Sequence, residues 1–100
     1  MRETQELDFT LCVGARRAAI DDASTPETVY RVALEFPSLG IETVCWDSNA
    51  VLGIELCATR AAAMLLRRGR HTTSSDLLEA MLAAWEHGTD CETSAKLTVN

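Results

Sequence analysis

The stretch LDFTLCV, residues 7–13, decides the fold class. Its apolar side chains at Leu7, Phe9, Leu11 and Val13 alternate with others that are polar or small, which is the period of a half-buried strand. A helical period runs over the same ground. Leu7, Leu11, Ala15, Ala18 and Asp22 recur at helical spacing, and Gly14 costs a helix interior only about 1 kcal/mol. Residues 15–23, ARRAAIDDA, read as helix on either view. The reading of residues 7–13 therefore separates an all-α chain from an α+β one.

Downstream, helical signals dominate. Residues 24–27, STPE, place a Ser or Thr cap, a proline in the first turn and a capping-box acid in order, which predicts a helix. Val29, Val32, Ala33 and Phe36 then share one face at i, i+3, i+4 and i+7, and Pro37 ends the segment. Residues 41–46, IETVCW, are β-branched and aromatic enough for a short strand that could pair with residues 7–13. Residues 49–68, NAVLGIELCATRAAAMLLRR, read as the central helix, capped by Asp47, Ser48 or Asn49. Their polar side chains Asn49, Glu55, Thr59, Arg60 and Arg67 crowd into roughly a third of the circumference, so neighbours are expected to cover the helix on several sides. Gly69 suits a left-handed cap, Thr73 and Asp76 spell a capping box, and Leu77, Leu78, Met81, Leu82 and Trp85 form a stripe that ends at Gly88.

The expectation is a mainly α chain: a compact, single-domain bundle of three to four helices over residues 1–100. Its α+β variant carries a short two-stranded ribbon of residues 7–13 and 41–46. Residues 1–6 and 89–100 are expected to fray, or the tail to add one edge strand through Leu97 and Val99. One hundred residues with 47% apolar content suffice for one core. The thin stability margin of so short a chain leaves room for a homodimer.

The formal net charge is −6 and is unevenly spread. Residues 1–55 hold ten acids and four arginines, residues 56–75 four arginines and no acid, and residues 76–100 five acids and one lysine. Acidic flanks argue against direct nucleic-acid binding, which draws on broad positive surface, and for a protein partner with a basic surface. They also serve plain solubility. Glu55 and Arg60 interrupt the central helix too early for a membrane span, which needs about 20 mostly uncharged residues. Cys12, Cys45, Cys57 and Cys91 stand far apart with no CxxC pair, which is neither a disulfide framework nor a zinc spacing. The expected compartment is the cytosol, and no metal or cofactor is expected.

The residue types of catalysis are present without a constellation. Asp21 and Asp22, or Asp76 and Glu79, do acid–base work only if buried together in a cleft, and adjacent carboxylates in a polar turn are ordinarily solvated. Cys91 with His87, His71 or Cys57 matches no metal pattern, and two histidines near helix ends select no cysteine for nucleophilic work. Trp46 and Trp85 read as core or edge of core, an exposed one marking an interface. Arg67, Arg68, Arg70 and His71, followed by Thr73 at a helix start, form a candidate anion site, against the plainer reading of arginines complementing a helix dipole.

Residues 50–82, whose AAAMLLRRGRHTTSSDLLEAML gives helix, glycine turn, Thr/Ser cap and leucine-rich helix in that order, resemble the Clp N-terminal repeat over about a third of the chain. The first half echoes the pattern through TPETVYRVAL, residues 25–34. The resemblance implies a substrate-recognition or adaptor module with an apolar groove between the central and last helices. Any antiparallel helix pair shares that outline.

The leading expectation is a non-enzymatic inhibitor or regulator that docks on a basic surface of a nucleic-acid-binding complex, anti-CRISPR proteins of phage being one form of the idea. Asp21, Asp22, Glu27, Glu35 and Glu42 are the expected contact acids, with Arg31 in counter-contact. The alternatives are the Clp-like adaptor and a small anionic-ligand protein that uses residues 67–75.

Overall fold

The alternating period prevails at the N-terminus and well beyond it. A computed structural model describes residues 4–18, 27–88 and 92–99. Strands β1 (Gln5–Ala18), β2 (Glu27–Phe36) and β3 (Ile41–Asp47) are followed by helices α1 (Ala50–Arg67) and α2 (Ser74–His87) and by strand β4 (Glu92–Val99). The four strands form one antiparallel sheet in the order β3-β2-β1-β4. The chain is thus α+β, and the expected helical bundle is corrected.

The largest revision falls on residues 27–36, expected as helix and found as the strand next to β1. Helical spacing places Val29, Val32, Ala33 and Phe36 on one face and strands Leu34 among polar groups. Alternation instead buries Val32, Leu34 and Phe36 completely and turns Arg31, Ala33 and Glu35 to the other face. Two strands bracket this one, so the larger burial prevails over the weaker local signal. Residues 15–18 are likewise strand, paired with Glu27–Tyr30; residues 19–23 lie outside the described chain.

The ribbon expected between residues 7–13 and 41–46 is also corrected. Both segments are strands, but each pairs with an opposite edge of β2, Val13 opposite Val32 and Val32 opposite Cys45. The tail, expected to fray or add an edge strand, supplies β4 with Leu97 and Val99 buried. Beyond Cys12 and Tyr30 the outer strands stop pairing, so Arg16–Ala18 and Glu27–Val29 continue as a two-stranded arm. The molecule is consequently long, 59 × 27 × 21 Å.

The helices stand where their caps predict. Asn49 Oδ1 accepts from the Leu52 amide at 3.1 Å, and Thr73 Oγ1 accepts from the Asp76 amide at 3.0 Å. Gly69 takes φ 75° and lets the Arg70 amide reach the Leu65 carbonyl at 2.9 Å, closing α1 with a left-handed turn. Gly53 lets α1 lie close on the sheet, since a Cβ there would stand 3.0 Å from Val32 Cγ2.

Both helices lie on the face that carries Phe9, Leu11, Leu34, Phe36, Ile41 and Leu97. Phe9 and Phe36 meet at 5.9 Å between ring centroids and 46° between planes. The central helix, expected to be covered on several sides, is buried along one side only. Ile54, Cys57, Ala61 and Leu65 are buried, while Val51, Leu52, Leu56 and Leu66 remain exposed. Among the described residues no helix is long and apolar enough to cross a membrane.

The strand register of β2 makes a direct prediction. Leu34→Ala should lower stability by about 2–5 kcal/mol, as buried leucine truncations do, and Ala33→Ser by no more than about 0.5 kcal/mol. Urea unfolding of the two variants checks it, a helical register reversing the order.

Candidate functional site

Two helices cover one face of the sheet, and nothing among the described residues covers the other. Register sets out that open face row by row. Glu42 of β3 lies opposite Glu35 of β2, which lies opposite Thr10 of β1 and then Ser94 of β4. The next row is Val44, Ala33, Cys12 and Glu92, and the third is Trp46, Arg31 and Gly14.

Glu35, Glu42 and Glu92 thereby share the wall of one shallow depression of about 270 Å³, together with Thr10, Cys12, Arg31 and Ala33. Among the described residues neither Glu35 nor Glu42 has an ion pair. Lys96 instead holds Glu6 at 3.7 Å near the far edge of the sheet, an exposed pair worth at most about 1 kcal/mol. The Arg31 guanidinium stands 6.0 Å from the centre of the Trp46 ring, within cation–π range, and Trp46 is 49% exposed.

Three of the expected contact residues, Arg31, Glu35 and Glu42, therefore stand together on this face. Asp21 and Asp22 lie outside the described residues, and Glu27 opens β2 on the arm, away from the depression. Sequence reasoning missed Thr10, Cys12, Ala33 and Glu92 because it assigned no strand to residues 27–36 and left the tail open. Applied to all four segments, the two-residue period would have placed them.

The arginine-rich turn is dispersed. Arg67 is exposed, Arg68 donates from Nη1 to the Leu39 carbonyl at 3.1 Å, and the buried Arg70 Nε has no hydrogen-bond acceptor. His71 and Thr73 share a depression of about 210 Å³ with Leu66, Thr72, Thr98 and the carboxylate of Asp76. None of the three arginines lines it, the acid opposes an anion, and Thr73 Oγ1 is already engaged in the cap.

Neither of two apolar grooves among the described residues lies between α1 and α2, where a Clp-like module implies one. Residues 27–34, in the half echoing the repeat, are strand, so the likeness ends at one helix pair. One groove, of about 330 Å³, lies beside α1, and the other, of about 440 Å³, between α2 and β4.

Of the metal and thiol candidates, His71 precedes α2 and His87 ends it, roughly 21 Å away for fourteen residues at helical rise. Cys91 lies outside the described residues. Cys57, completely buried on α1, donates its thiol to the Val32 carbonyl at 3.3 Å. Burial pushes it up to about 12, helped by Cys45 beside it, while Arg60, which donates to Cys45 Sγ at 3.6 Å, pulls slightly the other way. A thiol so held is a packing group, since the thiolate is the nucleophile.

The folded state keeps this proton where an unfolded chain sheds it near pH 9, so the contribution is full below pH 9 and lost as pH rises toward 12. Melting temperatures of the parent chain should decline across that window, and those of Cys57→Ala less steeply. Parallel slopes would remove Cys57 as the cause. Comparison of the chain with family models, curated proteins and solved structures finds no match.

Proposed function

We propose that this chain is a cytosolic, non-enzymatic inhibitor or regulator whose open sheet face docks on a basic surface of a nucleic-acid-binding complex. One observation carries the reading: Glu35 and Glu42 stand directly opposite each other in a depression that Glu92 also lines. Like charges in that relation cost an isolated sheet about 0.2–1 kcal/mol. A guanidinium or ammonium group seated between them removes the repulsion and gains charge-assisted hydrogen bonds.

The surroundings suit a protein partner. Arg and Trp are the residue types that dominate interface energetics, and Arg31 and Trp46 adjoin the acids on the same face. A sheet also holds its carboxylates at fixed spacing, so less side-chain freedom is lost on docking than at a loop. The net charge of −6 adds long-range attraction to a basic target and speeds encounter.

The test is retention of a nucleic-acid-binding complex from host extract on the immobilised chain, eluted in a salt gradient. Release at moderate salt is expected, together with loss of retention in the double variant Glu35→Lys, Glu42→Lys. Glu42→Lys alone should raise the stability of the free protein by up to about 1 kcal/mol, because it turns a repulsive cross-strand pair into an attractive one. Retention indifferent to both salt and the double variant would falsify the reading.

A further inference from the structure

The sheet has two edges, and they differ in charge. The β4 edge carries Lys96 near its middle, a charge that discourages pairing by another chain. The β3 edge carries acids instead, Glu42 and Asp47, which discourage another acidic strand but not a basic one. Its seven residues, IETVCWD, contain neither lysine nor proline. Their register with β2 runs residue for residue from Tyr30–Asp47 to Phe36–Ile41, so no bulge twists the edge away. Among the described residues β3 pairs with β2 alone.

A groove of about 330 Å³ lies on the helix side, lined by α1 and, from β3, by Asp47 at the end of this edge. Its floor is apolar, from Leu52 and Leu56, 50% and 43% exposed, and Asp47 and Glu55 line it too. On the open face the same edge presents Glu42 and Trp46, and Glu42 continues into the Glu35 row. Successive side chains of any strand added here would point alternately to the Leu52–Leu56 groove and to the glutamate face. One set meets an apolar floor bordered by Asp47 and Glu55, and the other meets Glu42, Val44 and Trp46.

We propose that the free edge of β3 is a strand-addition site for an extended segment of a basic protein partner, in which basic and apolar residues alternate. The proposal rests on the reading that the open face meets a basic partner, and specifies how that partner engages. Main-chain hydrogen bonds to β3 supply affinity, and the two unlike faces supply selectivity. A second copy of the chain is the poorer occupant, because it brings the same Glu42, Asp47 and Glu55 and a net charge of −6 to an edge already acidic. Arg60, one turn past Leu56, donates to Cys45 Sγ.

The test uses the full chain, ¹⁵N-labelled, and a capped peptide of alternating arginine and valine, as long as the seven residues of β3. A matched analogue methylated at every backbone nitrogen keeps the charges and removes the donors. The peptide should shift the Ile41–Asp47 amides and slow their hydrogen exchange, the analogue should bind about tenfold more weakly, and Leu56→Glu should shed the peptide's valine contacts and alter the pattern at β3. Equal binding of peptide and analogue, with shifts confined to Thr10, Glu35 and Glu42, would overturn the edge site while leaving docking on the open face intact. Absence of peptide binding also overturns it, and so does concentration-dependent protection of β3 without peptide, which assigns the edge to a second copy. Failure of the open-face reading is recognised separately, by salt-indifferent retention of the host complex.

Discussion

Everything in this molecule depends on the pairing of β2 on both of its edges. With β1 on one side and β3 on the other, Val32, Leu34 and Phe36 all reach the same face. That face gives the two helices a continuous apolar floor, and Gly53 lets α1 settle onto it. A one-residue slip of β2 would put Arg31, Ala33 and Glu35 under the helices instead. The hydrophobic pattern, not the hydrogen bonds, therefore holds the register.

The same pairing creates the open sheet face. Two helices cover one face of a four-stranded sheet, so the alternate residues of every strand are left on the other. An uncovered face needs polar residues for solubility, which explains why Glu6, Asp8, Glu35, Glu42 and Glu92 are there. It does not explain why Glu35 and Glu42 occupy directly opposed positions with no ion pair to either among the described residues. Proteins keep such local unfavourable contacts where binding relieves them. The open face and the acidic edge of β3 adjoin along Glu42 and Trp46, so one partner can use both.

Cys57 and Arg68 belong to the scaffold. Cys57 packs between α1 and the sheet with its proton held on sulfur, and Arg68 ties the end of α1 to the turn at Leu39. Cationic side chains that look like a cluster in sequence are spread around a helix end, because successive residues at a helix terminus point in different directions.

By itself the sequence determined the local punctuation: a cap within residues 47–49, the Thr73 cap, the Gly69 stop and the extents of both helices. These signals are short-range, and their hydrogen bonds close within four or five residues. It also marked Arg31, Glu35 and Glu42 as surface charge, without showing that they adjoin. Only the tertiary structure decided that residues 27–36 are strand, because Val32 and Phe36 satisfy both periods and only the flanking strands make Leu34's burial count. It decided too that Glu92, fifty residues from Glu42 in sequence, lines the same depression. Strand pairing is non-local, and nothing within a single segment records its neighbour.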